Sequence, residues 1–187
     1  MKITHRTTTG QRPDHHHRKE GEGRSSAVSK FSLSFAGTLL LGAAVLSSDV
    51  VRGSFVLPHL SGIASLCGTL LRVLGFPVAV NANVILSDRL NLEVVEGCDA
   101  IYPALLLTAA IVALPIRFLR KIPGILGGSL LLYAVNIIRV LSMYLVGVYF
   151  PSMFTAIHLY AWQGLFILLT LGGYLIWARH ELNLRTA

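Results

Sequence analysis

The chain has 187 residues, of which 53% are hydrophobic and only 13% charged, and its mean hydropathy is +0.65. A soluble domain of this size could not bury such long apolar runs, so the composition excludes an ordinary soluble domain and indicates an all-α membrane protein. The net charge of +7 comes mainly from the N-terminal tail, which we interpret as membrane topology rather than nucleic-acid binding, and two cysteines exclude a disulfide framework.

The chain begins with a polar segment. Residues 1–30 hold seven Lys or Arg and three Asp or Glu without periodicity, so we expect a disordered basic cytoplasmic tail. His15, His16 and His17 lie in this tail, where a flexible run offers no fixed metal geometry, so we interpret them as solvated side chains. Residues 31–180 then form a single integral-membrane domain.

Four apolar segments are long enough to cross a membrane, because a hydrocarbon core of about 30 Å needs about 20 helical residues. Together they predict a bundle of about four transmembrane helices. These segments are residues 31–48, 98–116, 122–148 and 157–178.

The region between the first two spans is less regular. Residues 55–76 are apolar at helical spacing, but Pro58, His59 and Arg72 interrupt them. We expect an interfacial or re-entrant helix here, with a fifth span as the alternative. Residues 77–96 alternate apolar and polar side chains around turn-forming Asn and Asp, which predicts a short, two-stranded extracytoplasmic β-excursion.

The distribution of Lys and Arg predicts the orientation. With a cytoplasmic N-terminus and four spans, the inside segments 1–30, 117–121 and 179–187 carry twelve Lys or Arg and four Asp or Glu. The outside residues, 49–97 and Asp99, carry three Lys or Arg and five Asp or Glu. Both termini are therefore expected in the cytoplasm, and a fifth span would place the basic loop at 117–121 on the wrong side.

Three reactive side chains fall at one depth. At about 1.5 Å per helical residue, Cys98, Arg139 and His158 lie about 28, 27 and 31 Å from the cytoplasmic basic residues that end their own helices. Three different helices thus bring a thiol, a guanidinium and an imidazole close to the outer membrane boundary. This convergence makes them the candidate site.

Arg139 lies inside an apolar run, where an arginine costs about 3 kcal/mol on insertion scales and usually faces a partner or a wet cavity. Asn136, three residues earlier on the same helical face, is expected to hold the guanidinium by a hydrogen bond. The unreactive interpretations are that Arg139 extends to the outer headgroups and that His158 belongs to an aromatic belt with Tyr160 and Trp162.

Cys98 is predicted to open a membrane helix, which would lower the pKa of its thiol, as would the nearby Arg139. The carboxylate of Asp99 opposes this effect, although it suits the first turn of a helix. We expect Arg139 and the helix end to outweigh Asp99. The unreactive interpretation of Cys98 is an inert, buried thiol.

A cysteine that opens one helix, the run "NIIR" that ends at Arg139, and a histidine that opens the next helix resemble the exosortase/archaeosortase family of multi-span membrane transpeptidases. The resemblance covers about residues 55–178, and the short chain is most like the exosortase H type. One difference is that Asp99 and Ala100 follow the cysteine, where the family commonly has a small residue and then glycine.

The resemblance implies a role for each matching residue. Cys98 would be the nucleophile that forms a thioester acyl-enzyme, His158 the general base and acid, and Arg139 the group that stabilises the thiolate or the oxyanion. The substrates would be exported proteins that end in a short motif, a transmembrane helix and basic residues, and the reaction would pass them to a surface acceptor. The enzyme would lie in the bacterial inner membrane and need no cofactor.

Other interpretations of the same residues stay open. Arg139 could bind an anion in a small, non-enzymatic transporter or assembly subunit. Cys67 could form a disulfide with Cys98, since both are expected outside the cytoplasm. A serine-protease pair of Ser142 with His158 lacks the sequence of a nucleophile elbow, and a metal site of His59 with His158 lacks further ligands at a diagnostic spacing.

Overall fold

The computed structural model describes the backbone of residues 15–186 and side chains between residues 26 and 183. The first helix begins at His15, so it continues through residues 15–30, which the sequence predicts to be a tail without secondary structure. No proline between Pro13 and Pro58 interrupts this helix. Residues 1–14 of the predicted tail, and the side chains of the three consecutive histidines, lie outside the described part.

The all-α prediction is confirmed, together with a small sheet. The long helices are α1 (His15–Leu46), α3 (Leu57–Val73), α4 (Ile101–Ala113), α5 (Phe118–Tyr149) and α7 (Gln163–Thr186). The short helices are α2 (Asp49–Val51) and α6 (Phe154–Ala156), with π-helical turns at Arg52–Val56 and Ile157–Trp162 and a 3₁₀ turn at Pro151–Met153.

Within residues 15–186, four helical runs have the length and apolar composition needed to cross a membrane, so the chain is an integral membrane protein, as predicted. They are Val28–Leu46, Asp49–Val73, Phe118–Tyr149 and Pro151–Asn183. The number of candidate spans agrees with the prediction, but one of the four segments is a different one. The predicted span 98–116 is a helix of only 13 residues, Ile101–Ala113. That helix is about 20 Å long, which is less than a hydrocarbon core of about 30 Å.

The backbone explains why α4 is short. Ala100 has a φ of 63°, in the left-handed region, so the helix cannot extend back to Cys98. At the other end Leu114 is extended and Pro115 follows, which ends the helix. The sequence pattern did not reveal the break at Ala100, because alanine itself favours helices.

Helix α4 lies at the centre of the bundle and packs against α1, α5 and α7. Two glycines give it room for close approach, because a Cβ at Gly42 of α1 or at Gly128 of α5 would displace the side chain of Leu105 or Leu107, respectively. The apolar residues buried between these helices form the first core cluster. They are Ala100, Leu107, Ile111, Leu132 and Phe166.

A second core cluster joins α3, the sheet and the later half of α5. The ring of His59 packs against Tyr133, and the ring of Phe76, just beyond α3, packs against Tyr144. Helix α3 therefore runs beside the later half of α5. Asp49–Val73 also has the length of a span, so both the interfacial helix predicted for 55–76 and its alternative, a further span, stay predictions.

The excursion after α3 has three short strands instead of the predicted two. They are β1 (Ala79–Asn81), β2 (Val84–Leu86) and β3 (Leu92–Glu93), which form an antiparallel sheet in the order β1-β2-β3. Two hydrogen bonds between Asn83 and Val94 hold the third strand in place. Asn83 O accepts from Val94 N at 2.9 Å, and Asn83 Nδ2 donates to Val94 O at 3.0 Å. Strand β3 is thus an edge strand, and the chain continues from it directly towards Cys98.

Candidate active site

Cys98 lies in a tight turn between β3 and α4, not in the first turn of a helix as the sequence predicts. Gly97 has a φ of 86°, which glycine adopts without strain, and Cys98 N donates to Val95 O at 2.9 Å. Asp99 is buried, and its Oδ1 accepts from Ile101 N at 3.1 Å. Asp99 thus bonds the first residue of α4 but lies outside the helix, which begins three residues after the thiol, so the predicted place of Asp99 in a first helical turn is not observed.

Arg139 lies on α5 and is almost completely buried, with 4% of its surface exposed. Its Nη1 donates to Gly97 O at 3.4 Å and its Nη2 lies 3.6 Å from Cys98 Sγ. The guanidinium carbon lies 5.4 Å from the centre of the Phe166 ring, within cation–π range. The guanidinium therefore faces protein groups and the thiol, which argues against the headgroup interpretation.

His158 lies in the π-helical turn Ile157–Trp162, a kind of helix irregularity that occurs often at functional sites. Its Nε2 is 3.7 Å from Cys98 Sγ, and its ring stacks on Phe154 at 6.0 Å between centroids. Its Nδ1 is buried and has no hydrogen-bond partner among the described residues. A proton on Nδ1 would leave Nε2 free to accept a proton from the thiol.

The structure therefore brings the three predicted side chains together around one sulfur atom. They line a cavity whose other walls come from residues 92–95, from Val140 and Met143 of α5, and from Phe154. The arrangement combines a thiol, a potential proton acceptor within hydrogen-bonding range and a fixed positive charge. These groups are what acyl transfer by a cysteine requires.

Asn136 has a different partner from the one predicted. It is fully buried, and its Nδ2 donates to Cys98 O at 2.9 Å instead of holding the guanidinium of Arg139. Asn136 and Arg139, one helical turn apart, thus bond the carbonyls of Cys98 and Gly97, respectively. Helix α5 fixes the turn that carries the thiol through two successive carbonyl groups.

Arg139 influences the Cys98 thiol more strongly than Asp99 does, as predicted, but burial outweighs both charges. Burial raises the pKa of the thiol above its ordinary value, the positive charge of Arg139 opposes this, and the smaller influence of Asp99 adds to it. Burial likewise raises the pKa of the Asp99 carboxyl group. The prediction from the sequence included the neighbouring charges but left out the desolvation of the thiol, which favours the neutral form of the cysteine.

We expect Asp99→Asn to speed the alkylation of Cys98 by iodoacetamide at a given pH. Asparagine keeps an oxygen to accept from Ile101 N but removes a charge that raises the thiol pKa, so the thiolate fraction increases. The measurement is the alkylation rate against pH in a Cys67→Ala background, so that one thiol is followed. A slower rate than that of the unsubstituted site would contradict this electrostatic balance.

The alternative uses of these residues find less support. Cys67 and Cys98 are both free, and Cys67 is buried in α3. Ser142 Oγ donates to Arg139 O at 2.8 Å within its own helix. His59 Nε2 lies 3.3 Å from Asp99 O, and the described residues contain no group of three His, Cys, Asp or Glu side chains that could hold a metal.

Sequence reasoning missed three contributors to the site. They are Gly97, whose carbonyl accepts from Arg139, Phe166, whose ring faces the guanidinium, and Phe154, which stacks on His158. Phe154 could have been found from its spacing, because residues four apart on a helix are neighbours. Phe166 and Gly97 could not, because their contacts depend on how α7 and the turn pack against α5.

Comparison with known proteins agrees with the geometry of this site. The family model described as transmembrane exosortase matches residues 25–177. No curated protein and no solved structure matches the chain. The matched residues include the cysteine turn, α4, α5 and the histidine turn. Since the match covers most of the 187 residues, the chain belongs to the transmembrane exosortase family.

Proposed function

We propose that this protein is a membrane-embedded cysteine transpeptidase, which cleaves the C-terminal sorting signal of exported proteins and passes them to a surface acceptor. The observation that carries the proposal is the position of Cys98 Sγ, 3.6 Å from Arg139 Nη2 and 3.7 Å from His158 Nε2. Family membership supports the same class of chemistry.

In the proposed reaction, His158 Nε2 accepts the proton of the Cys98 thiol as the sulfur attacks the carbonyl carbon of the scissile peptide bond. The tetrahedral intermediate collapses when the C–N bond breaks and His158 returns the proton to the leaving amine. A thioester between Cys98 and the exported protein remains. An acceptor nucleophile then attacks the thioester carbonyl carbon and loses its proton to His158. The C–S bond breaks, the exported protein leaves on the acceptor, and His158 returns the proton to the sulfur to regenerate the thiol.

Proton transfer to His158 is central to this mechanism, because burial raises the pKa of the Cys98 thiol. A thiol with a raised pKa is mostly neutral near pH 7, so attack requires a base at the moment of reaction. Arg139 would stabilise the thiolate and then the oxyanion. Since Nη1 is bonded to Gly97 O, Nη2 is the nitrogen presented to the sulfur and to the substrate carbonyl.

A cleft between α1 and α7 suits the transmembrane helix of such a substrate. Two adjoining apolar cavities, lined by residues of α1, α4 and α7, share Leu106, Ile167 and Thr170. Together they extend along α1 from Phe31 to Ala43. The cleft ends beside Phe166, whose ring contacts Arg139. A substrate helix in this cleft would leave it at the N-terminal end of α4, next to the turn that carries the thiol.

We further propose that the termini lie in the cytoplasm and the site near the extracytoplasmic face. The basic loop at 117–121 and the end of α7 lie at the opposite ends of their helices from Arg139 and His158. The positive-inside tendency then orients the bundle with its basic end inwards. In this orientation the substrate's basic tail would also stay in the cytoplasm.

The test is capture of the acyl-enzyme. A reporter consists of an exported tag fused to the C-terminal segment of an exported protein from the same genome, with its motif, apolar helix and basic tail. We expect mass spectrometry to find the tag on Cys98 through a bond that hydroxylamine cleaves, and an added amine acceptor to increase product release. Cleavage without such an adduct, whether or not acceptor is added, would contradict the proposal. The control is His158→Ala, which is expected to prevent formation of the adduct.

A further inference from the structure

We infer that the free edge of β3 and the residues after it bind the substrate segment that precedes the scissile bond, as an added β-strand. We call residues 92–95 the edge segment. The inference rests on the proposed function, because it assigns a position to the same substrate. It adds the surface that would recognise the motif through main-chain hydrogen bonds.

The edge segment is paired on one side only. Strand β2 pairs with β3 through Val84 and Glu93 and through Ile85 and Leu92, and β3 ends the strand order. Val94 directs both its N–H and its C=O towards Asn83, on the β2 side. Because the main-chain groups of successive strand residues alternate in direction, those of Glu93 are directed away from β2.

The unpaired edge and the reactive groups share one cavity. Leu92, Glu93, Val94 and Val95 line it together with Cys98, Arg139 and His158. Val95 lies three residues before the thiol, and its carbonyl accepts from Cys98 N. An extended peptide along this edge would therefore reach the sulfur within about three residues, or about 10 Å.

The direction of the substrate strand follows from the topology. The edge segment runs from the sheet towards α4, into the bundle. The substrate approaches from the exported side and enters the membrane after its scissile bond, so it would run in the same direction and pair in parallel. The opposite cavity wall contains Val140, Met143 and Phe154, so the substrate side chain that points into the cavity is expected to be apolar.

Disulfide trapping tests this pairing without requiring activity. Val95→Cys is introduced with Cys98→Ala and Cys67→Ala, and single cysteines are placed at successive reporter positions before the scissile bond. Neighbouring strands lie about 4.8 Å apart, within the Cα separation that a disulfide accepts. We expect crosslinks at alternate positions. Crosslinks with a spacing of three to four residues, or none at any position, would overturn the inference.

Proline substitution tests the main-chain contribution. Glu93→Pro removes an N–H from the free edge, a place where strands tolerate proline. We expect reporter cleavage to fall roughly tenfold below that of Glu93→Ala, which loses the carboxylate contact with Asn83 but keeps the N–H. An unchanged alkylation rate of Cys98 would show that the turn is intact. Equal cleavage by the two variants would overturn the inference.

These results separate the inference from the proposed function. If Cys98→Ala cleaves the reporter, the proposed function fails. If Cys98→Ala is inactive while Glu93→Pro cleaves as well as Glu93→Ala and no alternating crosslinks form, the proposed function stands and only the strand pairing is wrong.

Discussion

Cys98→Ala is expected to leave the reporter uncleaved, with a loss of at least about 10³-fold, because it removes the only thiol that the cavity contains among the described residues. The measurement is the ratio of precursor to product on immunoblots of cells that express the reporter. Cys67→Ala is the matched control. Its thiol is buried in α3 and does not line the cavity, so cleavage should continue.

Two outcomes would contradict this expectation. Cleavage by Cys98→Ala would mean that another group attacks the peptide bond. Equal loss of cleavage in both cysteine variants would point instead to a shared structural requirement, as in the disulfide interpretation. Thiol labelling in intact cells without a reductant distinguishes the latter, because a disulfide would protect both cysteines until it is reduced.

Arg139→Lys is expected to lower the rate of reporter cleavage by roughly 10²- to 10³-fold, the effect typical of losing one oxyanion donor. Lysine keeps the positive charge, but its single ammonium cannot bond Gly97 O and face the sulfur in the way the two guanidinium nitrogens do. It also loses the planar contact with Phe166. The measurement is the initial rate of product formation in purified membranes.

The same series tests the transporter interpretation. An anion-binding role for Arg139 predicts that Arg139→Lys retains part of the biological function and that Cys98→Ala is harmless. The transpeptidase proposal predicts that Cys98→Ala leaves the reporter uncleaved and that Arg139→Lys greatly slows its cleavage. Thermal unfolding of the detergent-solubilised variants is the control, because Arg139 is buried and its replacement can also cost stability.

The site was predicted from the sequence mainly by measuring distances along helices. Counting from the basic segments predicted one depth for three residues. The count holds for Arg139 and His158, because the rise of a helix is constant and α5 and the histidine turn do continue to them. For Cys98 it assumed a continuous helix that the structure does not have, since α4 begins at Ile101. In the structure, Arg139 Nη2 and His158 Nε2 each lie within hydrogen-bonding range of Cys98 Sγ. Their catalytic roles stay predictions.

The local conformation of the turn could not be predicted in this way. The left-handed φ of Ala100, a residue that favours helices, moves the start of α4 to Ile101. The partner of Asn136 belongs to that turn, because its Nδ2 donates to the carbonyl of Cys98. Such contacts arise from tertiary packing, which overrides local propensity.

The anchoring of the thiol's turn to α5 has a consequence for how the protein tolerates substitution. Helix α5 runs through both apolar clusters, and Asn136 and Arg139 hold the turn directly by its carbonyl groups. The sulfur's position therefore depends on polar contacts with a single helix as well as on packing, because Val94 and Ala100, on either side of the turn, belong to the two clusters. Changes in either cluster that leave these carbonyl contacts intact are expected to cost stability more than reactivity, so durability and chemistry can vary separately.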